Sequence, residues 1–270
     1  MIFFIHGKGG VGRSTVAEAL AWRLAEQGSS VHWYLLHEHR APDSISEALT
    51  PRFTRTQLSA QVAFQEYMTL LLHNAWAGKI FAQNRLIQYL SEAAPGIHEI
   101  VLLGKIWHDR KQTDHQIVDL PSTGYARSMF QSIRNFALLF EGGAVYRDTQ
   151  EMLKTFSSPK EAEHWIVATP EELPMTEAYE HALGIAHTLP NLKLKWLLNR
   201  CLPVPEHFQM VEHTPLLIPV SQSEALTERL YREIQARELW RTHSIQWKEW
   251  PWLPGPHASR VQKLSERNLL

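Results

Sequence analysis

Nine consecutive residues, Gly7-Lys8-Gly9-Gly10-Val11-Gly12-Arg13-Ser14-Thr15, constrain this chain more than any other segment. They follow an apolar run, Ile2 to Ile5, and precede a pattern that places Val16, Leu20 and Leu24 on one helical stripe. A glycine-rich turn between a buried strand and a helix lets backbone N–H groups curl around phosphate oxygens, where the helix dipole also favours an anion. The segment fits the phosphate-loop template G-x-x-x-x-G-K-[ST] at every position but one: Arg13 stands where lysine belongs. Arginine keeps the charge but is longer, planar and forked, so the exchange is not neutral at a tight site. By position Gly7, Gly9, Gly10, Val11 and Gly12 form the cradle and Ser14 is the Mg²⁺ ligand. Thr15 reaches a more distal phosphate. The expected ligand is a nucleoside triphosphate with Mg²⁺.

Short apolar runs read as buried parallel strands: Ile2 to His6, Val31 to Leu36, Gln116 to Leu120, Trp165 to Ala168, Leu194 to Leu198 and Leu216 to Val220. Helical patterns separate them, among them Ser14 to Glu26, Glu171 to Leu189 and Ser223 to Glu238. That alternation predicts an α/β fold with a doubly wound, mostly parallel sheet. Residues 1–240 are expected to form one nucleotide-binding domain, with 50–112 a largely helical insertion. Within it Phe64, Tyr67, Met68, Leu71, Leu72 and Trp76 form an apolar stripe. Residues 241–270 read as a Trp- and Pro-rich extension, since Trp250-Pro251-Trp252-Leu253-Pro254 cannot continue a helix. Its tryptophans suit covering the sheet edge or docking a partner.

Composition narrows the function. Lys and Arg number 27 against 28 acids, which argues against an electrostatic grip on nucleic acid. The single cysteine, Cys201, excludes an internal disulfide and a Cys-x-x-Cys zinc site, and a reducing cytoplasmic setting is expected. No run of 18 apolar residues exists, so no membrane insertion is expected. The apolar start lacks a basic n-region and is expected to be the first strand, not a signal peptide.

Lys8 adds a second lysine early in the loop. Lys-Gly-Gly-Val-Gly-[Lys/Arg]-[Ser/Thr] resembles the deviant Walker A motif of the MinD, ParA and ArsA class of P-loop ATPases. The run Ile117-Val118-Asp119-Leu120-Pro121-Ser122-Thr123-Gly124-Tyr125 is similar to the Walker B and switch II segment of the ArsA family. So is Thr169-Pro170-Glu171-Glu172-Leu173-Pro174-Met175-Thr176-Glu177-Ala178, followed by Trp196-Leu197-Leu198-Asn199-Arg200. The chain resembles that family from residue 1 to about 238. The resemblance implies a P-loop NTPase fold and an ATP- and Mg²⁺-dependent dimer. Lys8 would cross the interface to the partner's nucleotide. Asp119 would hold a metal-bound water and Gly124 would sense the γ-phosphate. Asn199, with Arg200 beside it, would meet the adenine edge, and the loop after Pro219 would close over the base. The family includes the ATPase that delivers tail-anchored membrane proteins, so a client or effector protein is the implied partner.

The family's switch I departs here. Aligning Ser44-Ile45-Ser46-Glu47 with the family's Ser-Leu-Ser-Asp puts Arg40 where the water-positioning Asp belongs, and Glu38 or Asp43 replaces it only if the backbone path shifts. Losing such a group typically costs about 10² to 10⁴ in rate. With Arg13, the expectation is slow or absent hydrolysis. The alternatives are a non-hydrolysing nucleotide-binding scaffold paired with a catalytic paralogue, and a ParA- or MinD-like positioning ATPase. His37 and His39 share a strand face but read as polar residues near phosphate, and one cysteine cannot supply the clustered thiolates that arsenite needs.

Overall fold

Strand β1 (Ile2–His6) is buried at all five positions. A strand with no polar face needs cover on both sides, and it has it. The computed structural model describes residues 1–36, 45–72, 96–139, 142–202, 210–211, 214–215 and 224–266. After β1 come α1 (Arg13–Glu26), β2 (Val31–Leu35), β3 (Ile45–Thr50), β4 (Phe53–Gln57) and α2 (Ala60–Leu72). Then follow α3 (Ile97–Asp109), β5 (His115–Asp119), α4 (Thr123–Leu139), α5 (Gly143–Ser157), β6 (Ala162–Ala168) and α6 (Glu172–Thr188). The chain continues through β7 (Leu194–Cys201), the short pair β8 (Met210–Val211) and β9 (Thr214–Pro215), α7 (Glu224–Thr242), β10 (Trp247–Pro251) and α8 (His257–Ser265).

The main sheet has eight strands in the order β10-β7-β6-β1-β5-β2-β4-β3. All neighbours are parallel except β3 against β4. This is the doubly wound α/β arrangement expected, with β1 central. Side-chain alternation divides β1 between two cores. Phe3 and Ile5 pack with Val16, Leu20 and Leu24 of α1 and Val261 and Leu264 of α8. Ile2 and Phe4 pack with Leu103 of α3, Phe130 of α4 and Phe156 of α5. Each such fully buried side chain contributes about 1.5–3 kcal/mol over leaving it in water.

Two regions differ from the sequence reading. The stretch taken as a helical insertion from residue 50 contains a strand, β4, which pairs parallel with β2 and antiparallel with β3. Its Thr- and Arg-containing sequence lacks the apolar run of a central strand, because only Phe53 and Thr56 are buried. Helices α2 and α3 supply the helical part; Phe64 packs against the core under them, and Trp76 lies outside the described residues. The segment read as an extension completes the sheet: β10 pairs parallel with β7. Trp250 and Trp240 are buried there, and the Trp240 indole donates to the Met175 carbonyl at 3.1 Å, whereas Trp252 stays 46% exposed. Arg237 of α7 bridges Glu233 and Glu249, fastening helix to edge strand. The expected strand from Leu216 to Val220 lies outside the described residues. Among the described residues no helix is long and apolar enough to cross a membrane.

Candidate phosphate-binding site

The loop from Gly7 to Gly12 leaves the C-terminal end of β1, at the centre of the sheet, where ligands sit in open α/β folds. Two glycines are required by space. A Cβ on Gly7 would lie 2.5 Å from the Val167 carbonyl of β6. Gly12 is the N-cap of α1 with φ 94°, a left-handed conformation, and a Cβ there would overlap the Asn199 amide nitrogen. Around Gly9 and Gly10 there is open space. The first turn of α1 has no acidic residue and no side-chain cap, so its N–H groups remain available to an anion.

Ser14, exposed in the first turn of α1, donates from Oγ to Asp119 Oδ2 at 2.6 Å. Asp119 ends β5, next to β1, and is 4% exposed. Hydroxyl and carboxylate thus meet at a helix N-terminus, a donor set that suits a hard cation and its waters. Arg13 turns to the Asp119–Thr123 segment, where its guanidinium donates to the Pro121 carbonyl. Gly124 follows in the first turn of α4, with nothing crowding it.

Lys8 forms an ion pair with Glu177 of α6 at 2.7 Å, both side chains about one-third exposed (38% and 30%). Asn199, buried on β7, donates from Nδ2 to the Val11 carbonyl at 2.9 Å and accepts from the Arg200 N–H at 3.0 Å. The amide therefore braces the loop from behind. Arg200 beside it has φ 62°, unusual for a residue with a side chain. Thr15 is half-buried in the first turn of α1. The structure thus brings Gly7 through Thr15, Asp119, Gly124, Asn199 and Arg200 to one end of the sheet. Glu38, Arg40 and Pro219 lie outside the described residues, as do His37, His39 and Asp43.

A model of the anion-transporting ATPases, the ArsA family, matches residues 1–141, more than half of the chain. The chain belongs to this family. Curated proteins are also similar to this chain. ATPase BagA of Mycobacterium tuberculosis and a putative ATPase of Mycobacterium bovis are each 26% identical over 204 residues, covering 66% of this chain. The chain spans 59% of the length of these mycobacterial proteins. A putative arsenical pump-driving ATPase 2 of Aquifex aeolicus is 24% identical over 245 residues, covering 75% of this chain and 80% of that protein.

Sequence reasoning missed two features of the ArsA-type site. Glu177 was legible only as part of a motif, not as the partner of Lys8. His6, His164 and His181 were not singled out at all, yet they sit hydrogen-bonded in a row behind the loop. Strand parity marks His6 and His164 as facing the same side, but no pattern announces His181 on α6. The lone Cys201 is buried, and burial together with nearby Glu249 pushes its thiol up to about 12.

Proposed function

We propose that the chain binds Mg²⁺-ATP at the Gly7–Thr15 loop and dimerises in response, with the segment from Asp119 to Gly124 passing nucleotide state to a partner protein. The observation that carries this is the 2.6 Å contact between Ser14 and Asp119, which ties the loop to the switch segment through a hydroxyl–carboxylate hydrogen bond. Loop N–H groups and the α1 terminus hold phosphate oxygens, and Ser14 and Asp119 hold the cation. When bound, Mg²⁺ neutralises phosphate charge and orients it. Asn199 keeps the loop shaped from behind and is the side chain assigned to the adenine edge. Lys8 reaches a second copy's nucleotide only by leaving Glu177.

Hydrolysis is slow in this reading. The Arg13 guanidinium is engaged with the Pro121 carbonyl, a use that a lysine at this position would not share in the same geometry. The same contact favours the second reading, a nucleotide-binding scaffold that works beside a catalytic paralogue. Arsenite as cargo is disfavoured by the single thiol, held protonated by burial.

Light scattering with and without Mg²⁺-ATP tests the proposal. The parent chain is expected to double in mass with nucleotide, and Lys8→Ala to bind nucleotide but stay monomeric. A Lys8→Ala protein that dimerises as readily as the parent would remove Lys8 from the interface. Phosphate release at a rate of about 1 s⁻¹ or faster, a common enzymatic turnover, would overturn the slow-hydrolysis reading.

A further inference from the structure

One residue of β7 breaks the strand's geometry. Arg200 has φ 62°, in the left-handed region that residues with a Cβ occupy at a cost and that glycine enters freely. Such a conformation persists where the surroundings over-determine it. Here they do. The Arg200 N–H donates to Asn199 Oδ1 at 3.0 Å, and its carbonyl accepts from Arg229 Nη2 of α7 at 3.2 Å. Arg229 Nε donates to Glu233 at 3.1 Å, and Glu233, 2% exposed, also accepts from the Leu202 N–H at 2.9 Å. The buried amide on one side and α7 on the other hold the bend.

The bend brings the Arg200 side chain back over the phosphate loop. Asn199 and Cys201 are buried, whereas Arg200 between them is exposed. Its Nη2 lies 3.7 Å from where a Cβ on Gly12 would stand, and the Asn199 amide nitrogen is closer still to the same point. Two neighbouring side chains thus flank the residue that caps α1. Asn199 does so from the interior, bonded to the Val11 carbonyl, and Arg200 from the solvent side. A side chain that only needs water gains nothing from a strained backbone, so the bend is explained by where it aims the guanidinium.

The other cations of the loop are engaged elsewhere. Arg13, in the lysine position, donates to the Pro121 carbonyl, and Lys8 pairs with Glu177. Among the described residues no carboxylate pairs with the Arg200 guanidinium, and its hydrogen bonds are those of its backbone. A guanidinium is weakly hydrated and presents a rigid fork of donors that matches phosphate oxygens. Set beside the N-terminus of α1, it adds a full charge to a helix end that already favours an anion.

We propose that Arg200 binds the phosphate chain of the nucleotide, supplying from β7 the cation that Arg13 does not. The inference deepens the nucleotide reading and rests on it. It assigns to phosphate a side chain that the family resemblance sets beside the base.

The test compares the parent chain with Arg200→Gly and Arg200→Gln, using a fluorescent ADP with Mg²⁺ and then its displacement by pyrophosphate, which has no base. Glycine takes φ 62° without strain, so the fold is kept, as an undiminished melting temperature checks. Glutamine keeps a polar stem without the charge and serves if the glycine variant is unstable. Removing a hydrogen bond to a charged group typically weakens binding by about ten- to a hundredfold. Affinity for ADP and for pyrophosphate should both fall by that factor in each variant. Unchanged pyrophosphate affinity would overturn the proposal, and a loss confined to ADP would place Arg200 on the base instead. A parent chain that binds neither ligand would overturn the nucleotide reading and this inference with it.

Discussion

The two faces of β1 treat charge in opposite ways at the same strand end. On the α1 face, Ser14 is exposed and pairs with the carboxylate of Asp119 one strand away, an arrangement open to ions. On the α4 and α6 face, His6 is sealed between His164 and His181, and no carboxylate is among the charges that act on it. In the proposed reading the first face takes its cation from solvent. The second holds its rings neutral, because burying a charge in a low dielectric is costly. This contrast shows how one strand end divides its electrostatics between an open polar face and a neutral interior.

Removing Asp119 should separate the faces most sharply. Asp119→Ala leaves Ser14 without its partner but leaves the histidine row untouched. Loss of an outer-shell metal partner typically costs about 10- to 100-fold in metal affinity. The Mg²⁺ concentration needed to tighten a fluorescent nucleotide should rise by that factor, measured by titration, while binding without Mg²⁺ changes little. An unshifted Mg²⁺ requirement would mean that the carboxylate serves only to hold Ser14.

The first face was legible in the sequence and the second was not, for a physical reason. Gly7 to Thr15 and Asp119 to Gly124 are short contiguous runs, because a backbone cradle and a strand-end carboxylate are local structures. Their context, apolar strand before and amphipathic helix after, was readable too, and so was the parallel core from β1 to β7. The histidine row joins residues 158 and 175 positions apart, which only strand register and helix packing bring together. The sheet edges escaped for a related reason. The edge strand β10, and β4 beside the edge strand β3, carry polar and charged residues because strands at the sheet's margins need less burial, so Phe53-Thr54-Arg55-Thr56-Gln57 and Trp247-Lys248-Glu249-Trp250-Pro251 lack a continuous apolar run.

Acid should break the buried face before the open one. His164 titrates at about 4 when folded, against 6.5 when free. As pH falls below 6.5 the unfolded ring takes a proton that the folded ring refuses, so stability declines from there to about pH 4. One ring costs about 1.4 kcal/mol per pH unit in that window. Urea melts at pH 7.5 and pH 5 should therefore show the parent losing about 2 kcal/mol more than His164→Phe. Phenylalanine suits the site, since the Phe4 ring stacks on His164 with centroids 4.9 Å apart. If both proteins lose the same stability, His164 is not held neutral in the fold.

The smallest effect belongs to the contact that spans the boundary between the faces. Glu177 lies on α6, one turn from His181, but its carboxylate reaches over the loop to Lys8. A pair this exposed is worth about 0.2–1 kcal/mol. Glu177→Gln removes the pull on Lys8 without changing side-chain size, so the lysine no longer has to leave a charged partner before it meets a second copy. The nucleotide concentration at which light scattering reports half-dimerisation should fall by up to about fivefold, the equivalent of 1 kcal/mol. An unmoved midpoint would mean that Glu177 does not compete for the lysine at all.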